Sequence, residues 1–287
     1  MILTVRVGYT QVTTRVLIPL CLTFAAIPAL AQGVGSLAIG SGTSVVVMRS
    51  AKLLVAAVDS REVYRLYKDG SSAVQARTMC KLARVGPHFV IVAGLAHGHR
   101  DAATAVTPDA VTPDFDALQA AGQALQQGDS PSQLADRTRA AIPGLLLPVL
   151  GAVRDADPAD FAARFEGQAA LQLTFLGKDK GEPAVIIVEF GVRTAVGGAL
   201  ELVPRTTRCP GDCAGTASAW FMGTHDNIDR YLRGNTGFIG HPDEGRAEAL
   251  IRLEYDARPD LVGGPVSILR IEKSGAMLVR EGACGVE

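Results

Sequence analysis

The sequence carries almost no net charge. It contains 28 Lys and Arg residues against 29 Asp and Glu residues, which gives a formal net charge of −1. A surface that binds nucleic acid normally needs clustered basic residues, and the sequence contains no Lys/Arg cluster. The composition therefore argues against nucleic acid, or any other polyanion, as a partner.

Long apolar runs, internal repeats and low-complexity tracts are all missing after residue 31. A membrane-spanning helix needs roughly 20 apolar residues, and no later stretch meets that requirement. Hydrophobic residues make up 48% of the chain and charged residues 20%, which is typical of a globular protein with a substantial core. We expect no membrane association once the N-terminal segment has been removed.

The N-terminal segment has the pattern of an export signal. Two arginines precede an apolar run over residues 16–27, and Ala29-Leu30-Ala31 has the small-x-small form of a signal-peptidase site. The alternative is a membrane anchor, which the short run and its prolines disfavour. We predict that residues 1–31 are removed and that the mature protein is periplasmic or extracellular.

Cysteines are few, and the mature chain keeps four of them: Cys80, Cys209, Cys213 and Cys284. An even number in an oxidising compartment favours disulfides, and Cys209-Pro-Gly-Asp-Cys213 has the turn residues to close on itself. Free thiols and a zinc site are the alternatives. Zinc is disfavoured because no second cysteine pair lies nearby, and His97-Gly98-His99 has no third candidate ligand. We therefore expect no metal and no cofactor.

Strand and helix patterns alternate in blocks after residue 42. Strand patterns cover 43–47, 53–58, 89–93, 171–176, 184–190, 218–223, 266–272 and 277–279, and helical patterns cover 116–127, 131–141, 226–232 and 243–255. Blocks of hairpins separated by blocks of helices predict an α/β fold. The economical packing is a four-layer α/β/β/α sandwich of two mainly antiparallel sheets.

The segment ahead of the first strand pattern is rich in small residues. Residues 33–42 read Gly-Val-Gly-Ser-Leu-Ala-Ile-Gly-Ser-Gly and show no helix or strand periodicity. We predict that residues 32–42 form a flexible lead-in that a protease, or the protein itself, can reach. A single domain would then occupy residues 43–287.

Thr43 follows this lead-in directly and is a candidate nucleophile. A threonine hydroxyl needs a nearby base to become a good nucleophile, and a free α-amino group has a pKa of about 7.7 to 8. Cutting the Gly42-Thr43 bond would place both groups on one residue. The alternative is that Thr43 simply begins a β-strand, as threonine often does.

The residues around Thr43 resemble a known family. Gly42-Thr43-Ser44, followed by Val55-Ala56-Ala57-Val58-Asp59-Ser60-Arg61, is similar to the opening of a proteasome β-type subunit of the N-terminal nucleophile hydrolase superfamily. Residues 81–94 and 262–271 are similar to later segments of that family. The resemblance implies that Thr43 is both nucleophile and base, and that Asp59 holds Lys81. It also implies that Lys81 lowers the pKa of the amine and that the Gly94 N–H stabilises the oxyanion.

Some supporting positions depart from the family pattern. Lys81 lies six residues further from Arg61 than the family spacing predicts, so the loop predicted over residues 62–80 must absorb an insertion. Val262 stands where the family has a serine and Pro259 where it has an aspartate, so Asp260 or Asp256 is a candidate substitute after a loop shift.

Two further residues are weaker candidates. Thr224 is similar to the family's serine at a helix start. Asp59 and Arg61 come just after the apolar strand pattern. This position favours a buried role over a surface ion pair between the two.

The sequence therefore predicts an exported hydrolase that cleaves peptides or small amides through Thr43. The alternative is a non-catalytic protein that acts in binding or assembly. Assembly into a ring of identical subunits is implied by the resemblance alone.

Overall fold

The computed structural model describes residues 37–68, 71–100, 113–213 and 217–284. The predicted export signal over residues 1–31 lies outside these ranges. The strands are β1 (Leu37–Ser41), β2 (Ser44–Ser50), β3 (Leu53–Val58), β4 (Arg61–Lys68), β5 (Ser71–Thr78), β6 (Leu82–Val85), β7 (His88–Gly94), β8 (His97–His99), β9 (Phe115–Asp116), β10 (Ala169–Asp179), β11 (Glu182–Thr194), β12 (Leu200–Cys209), β13 (Ala217–Gly223), β14 (Ser267–Glu272) and β15 (Ala276–Arg280). The helices are α1 (Ala117–Ala124), α2 (Pro131–Ala156), α3 (Pro158–Phe165), α4 (Asp226–Gly234) and α5 (Glu244–Ala257), with a 3-10 turn at Thr236–Ile239.

The strands form three antiparallel sheets of five strands each. Sheet I has the order β13-β2-β3-β14-β15, sheet II the order β12-β11-β10-β7-β6, and sheet III the order β5-β4-β1-β8-β9. The predicted four-layer α/β/β/α sandwich of two sheets is therefore wrong. The described part of the chain is mostly β, with 44% strand and 30% helix.

Sheet III accounts for the error, because its strands come from segments that the sequence analysis did not assign to strands. The insertion between Arg61 and Lys81 was predicted to be a loop, but it forms the β4-β5 hairpin, paired from Arg61↔Thr78 to Lys68↔Ser71. Its residues alternate polar and apolar too irregularly to give a clear period of two. The hairpin supplies two of the five strands of the additional sheet.

The lead-in over residues 32–42 was predicted to be flexible, and this is wrong for its last part. Leu37–Ser41 is the central strand of sheet III and pairs with β4 on one side and β8 on the other. Ala38 and Ile39 are completely buried. Small residues gave no hydrophobic period, but tertiary pairing on both edges outweighs weak local propensity.

The hairpin β2-β3 is confirmed and carries the segment that begins at Thr43. Val45 and Val47 pack towards β7, β10 and β11 of sheet II, whereas Val46 and Met48 pack towards α5. This alternation follows from the period of two in a strand whose two faces are both buried. Because both faces of β2 are buried in well-packed cores, the position of Thr43 at its start is firmly fixed.

The other predicted elements are confirmed with shifted ends. The hairpins β10-β11 and β14-β15 and the helices α1, α4 and α5 lie where the patterns placed them. Helix α2 runs on to Ala156, and its start is a capping box in which Ser130 and Gln133 bond each other's backbone N–H groups. In the described ranges, none of the helices is both long and apolar enough to cross a bilayer.

Candidate functional site

Thr43 lies at the junction of sheets III and I, between β1 and β2, and is 2% exposed. Its Oγ1 donates a hydrogen bond to the carbonyl oxygen of Gly42 at 2.5 Å. Gly42 has a φ of +91°, a conformation that glycine adopts without steric cost. The backbone therefore turns sharply at Gly42 and brings the threonine hydroxyl next to the peptide link that precedes it.

The far side of Thr43 is held by the end of β13. The N–H of Thr224 donates to the Thr43 carbonyl oxygen at 2.7 Å. Gly223 has a φ of +70°, and a Cβ there would lie only 2.0 Å from the same oxygen. The contact of Thr224 with Thr43 is thus a backbone one, and it depends on the absence of a side chain at Gly223.

Lys81 is 1% exposed and contacts the same peptide link. Its Nζ donates to the Gly42 carbonyl oxygen at 2.6 Å, to Asp59 Oδ1 at 3.0 Å and to the Arg61 carbonyl oxygen. An ammonium has three donors and no acceptor, and here each donor has an acceptor. Burial lowers the pKa of Lys81, and the negative charge of Asp59 opposes that shift.

Asp59 connects this lysine to three backbone segments. Its Oδ1 accepts from the Ser44 N–H at 2.9 Å in addition to Lys81. Its Oδ2 accepts from the N–H groups of Arg61 at 3.2 Å and Gly263 at 3.0 Å. Four donors on one buried carboxylate fix its orientation, which in turn positions the lysine.

Gly94 lies at the end of β7 and lines the same cleft as Thr43. The Val92 N–H donates to the Lys81 carbonyl oxygen at 3.0 Å. Residues two apart in a strand point their N–H groups to the same edge. The Gly94 N–H therefore points to the edge of β7 on which Val92 bonds Lys81. Gly94 has a φ of +84°, and a Cβ there would lie 2.5 Å from the Ala170 carbonyl oxygen.

A cleft of about 710 Å³ opens beside the Gly42-Thr43 link. Its lining residues come from four regions: the β1-β2 junction, the end of β7, the α3-β10 connection with β10 and β11, and the loops that flank α4 and α5. The charged side chains that line it are Arg164, Glu189 and Arg258, together with His225. The volume is enough for a peptide segment or a small amide.

Two of the weaker candidates have other roles. Arg61 serves the site through its backbone only, since its N–H bonds Asp59 and its carbonyl oxygen accepts from Lys81. Asp260 pairs with Arg258, and its side chain is 63% exposed. Among the described residues, Asp260 bonds Arg258 and makes no hydrogen bond to Thr43, Asp59 or Lys81.

Sequence reasoning missed several residues that complete the site. Gly263 donates to Asp59, and its carbonyl oxygen accepts from the N–H groups of Ser60 and Arg61. The resemblance covered Gly263 but gave it no role. Gln172 and Glu189 line the cleft from β10 and β11, and neither stood out from the polar positions of a strand pattern.

Two disulfides are present: Cys209–Cys213, which closes the small loop, and Cys80–Cys284. The second joins the residue next to Lys81 to the end of the described chain. The pairing of Cys80 was not predictable, because the two cysteines are 204 residues apart.

No protein-family model matches the sequence, and no curated protein matches it either. Over the ranges that the structure describes, no three His, Cys, Asp or Glu side chains are grouped so as to hold a metal ion.

Proposed function

We propose that this protein cleaves its own Gly42-Thr43 bond and then hydrolyses amide bonds with the threonine that is released. The observation that carries the proposal is the double contact on one carbonyl oxygen. Thr43 Oγ1 lies 2.5 Å and Lys81 Nζ 2.6 Å from the oxygen of Gly42. A hydroxyl and a buried ammonium thus converge on the bond that would have to break.

Self-cleavage would begin when Thr43 Oγ1 attacks the carbonyl carbon of Gly42. An Oγ1–C bond forms, the C–N bond to Thr43 breaks, and the nitrogen takes the proton that the hydroxyl loses. The product is an ester with a free α-amine. Water then hydrolyses the ester, which releases the Gly42 carboxylate and restores the hydroxyl.

Lys81 supports this step electrostatically. Negative charge gathers on the Gly42 oxygen as the hydroxyl adds, and the ammonium already donates to that oxygen. Asp59 keeps the ammonium oriented at 3.0 Å. In later turnovers the freed α-amine would act as the base, and the Gly94 N–H would bind the substrate oxyanion.

The substrate would be a peptide or small amide that enters the cleft of about 710 Å³ beside Thr43. Turnover requires the new carboxylate of Gly42 to move away from Lys81. Assembly of identical subunits into a ring and export to the periplasm or beyond remain proposals that rest on the sequence.

One observation favours a second candidate, a non-catalytic binding or assembly protein. β1 is paired on both edges, and Leu37, Ala38 and Ile39 are at most 3% exposed. A segment that is discarded on maturation does not need such burial. Val262, completely buried where the family has a serine, points the same way.

Intact-mass measurement under denaturing conditions separates the two candidates. We expect wild-type protein and Thr43→Ser to yield a chain that begins at residue 43, and Thr43→Val, which keeps the shape but lacks the hydroxyl, to stay uncut. Residues 32–42 contain no cysteine, so no disulfide hides the cut. Wild-type protein that stays uncut on long incubation supports the binding protein, and equal cleavage of Thr43→Val would refute the threonine mechanism.

A further inference from the structure

We infer that Glu189 selects substrates or ligands that carry a cationic group, such as a lysine side chain or another primary amine. The inference names the substrate class of the site and therefore rests on the proposed function. It concerns a residue that lies in β11, outside the Thr43, Asp59 and Lys81 cluster.

Glu189 lines two adjoining spaces. It belongs to the wall of the cleft beside Thr43 and also to a smaller cavity of about 300 Å³. Gln168 and Ala169 are likewise shared by both spaces. A chain lying in the cleft can therefore present a side chain to Glu189 while its backbone stays beside Thr43.

The carboxylate of Glu189 is held in a defined orientation. Gln172 Nε2 donates to Glu189 Oε1 at 2.5 Å, and Gln172 Oε1 accepts from the Gly223 N–H at 2.9 Å. Gly223 pairs with Ser44, the residue next to Thr43. A chain of hydrogen bonds thus ties the position of Glu189 to the strand that carries the nucleophile, which favours a preorganised recognition group.

Charge pairing in the cleft leaves Glu189 as the acceptor for an incoming cation. Arg164 is paired with Asp160, and Arg258 with Asp260. Among the described residues, no Lys, Arg or His side chain forms an ion pair within 4.0 Å of the Glu189 carboxylate. Arg205 is the cross-strand neighbour of Glu189 on β12 and lines the smaller cavity, but it does not form an ion pair with Glu189.

A half-buried carboxylate with a free lone pair binds an ammonium through a charge-assisted hydrogen bond. Such bonds contribute enough to discriminate about ten- to a hundredfold against a neutral isostere. A carboxylate on the substrate at the same position would be repelled. We therefore expect a preference for cationic over neutral groups, and for neutral over anionic ones.

Chromogenic anilides of lysine and norleucine test this preference, because the two side chains differ essentially by the ammonium. For mature wild-type protein we expect kcat/KM to be at least tenfold higher for the lysine anilide. Glu189→Gln should reduce the ratio of the two kcat/KM values to about one. The matched control is Glu201→Gln. Glu201 lies on β12 in an exposed ion pair with Arg193 of β11, and its replacement should keep the preference.

A lysine preference that survives in Glu189→Gln, or its absence in the wild type, would overturn the inference. A second arm uses Thr43→Val and measures binding of lysinamide and norleucinamide by calorimetry. If neither anilide is hydrolysed, the proposed function is contradicted, but the inference about Glu189 is not. In that case, lysinamide binding that is lost in Glu189→Gln still supports the inference, whereas equal binding of the two amides overturns it.

Discussion

The ammonium nitrogen of Lys81 lies 2.6 Å from the carbonyl oxygen of Gly42. Lys81 is 1% exposed, and burial strengthens a charge-assisted contact relative to the same contact in water. The lysine thus touches the peptide link before Thr43 directly, and it does so before any bond has been cut. This relationship makes the role of Lys81 testable in the uncut chain.

Replacing Lys81 by methionine should slow self-cleavage by about a hundredfold or more, the effect of losing one oxyanion donor. The rate is measured from the fraction of cut chain against time on denaturing gels. Methionine alone removes the ammonium partner of the buried Asp59 carboxylate, so the double variant Lys81→Met/Asp59→Asn is the control for folding. Full-speed cleavage in the folded double variant would show that the ammonium is not needed.

Asp59→Asn should lower the free energy of unfolding by about 3 to 5 kcal/mol, because it leaves the buried ammonium of Lys81 without a counter-charge. Urea denaturation of the Thr43→Val background gives this value without interference from cleavage. The double variant with Lys81→Met should recover part of the loss. If the loss in the double variant equals the sum of the losses in the two single variants, Asp59 and Lys81 do not act as a pair.

Gly94→Ala should destabilise the protein more than Gly128→Ala. Both glycines have a positive φ, +84° and +81°, so an alanine costs about 1 to 2 kcal/mol at either position from backbone strain. Only at Gly94 does the new Cβ also meet a backbone atom, the Ala170 oxygen at 2.5 Å, whereas at Gly128 the space is open. Equal losses in urea denaturation would contradict the close packing of Gly94 against β10.

Acid should unfold the protein partly through His97 in β8. Burial, and then the positive charges of Arg77 and His99, lower the pKa of His97 to about 3. Between about pH 6.5 and 3 the unfolded chain binds a proton that the native protein does not, so stability falls as the pH falls. Each pKa unit corresponds to about 1.4 kcal/mol, which gives a loss of several kcal/mol across this window.

His97→Gln tests this linkage, with His225→Gln on the half-exposed start of α4 as the control. Glu62 lies 3.1 Å from His97, and Arg77 contacts both side chains. Urea denaturation at several pH values should give a shallower pH dependence for His97→Gln than for the control. The same pH dependence in both variants would exclude His97 as the acid-sensitive group.

The sequence predicted local structure better than the arrangement of sheets. The hairpin β2-β3 was predicted from its β-branched and aliphatic runs and the helix α5 from its helical pattern, and both are present. β1 and the β4-β5 hairpin were missed, because their residues show no clear hydrophobic period and β1 depends on pairing with β4 and β8.

The candidate site shows the same division. Thr43, Asp59 and Lys81 were named from spacing and resemblance, and the structure brings them together around the Gly42 oxygen. The contribution of Gly263 is a backbone N–H, which every residue type except proline provides, so no sequence pattern marked it. The role of Glu189 likewise depends on which charges remain unpaired in the folded cleft.

Two links from distant parts of the chain have a consequence for the timing of maturation. Asp59 bonds Gly263, and Cys80 bonds Cys284, and each pair is separated by 204 residues. During synthesis or export, Lys81 and its carboxylate partner therefore lack these anchors until almost the whole chain has emerged. Any scission ahead of Thr43 would then have to wait for a completed polypeptide, and nascent chains truncated before residue 263 should stay uncut.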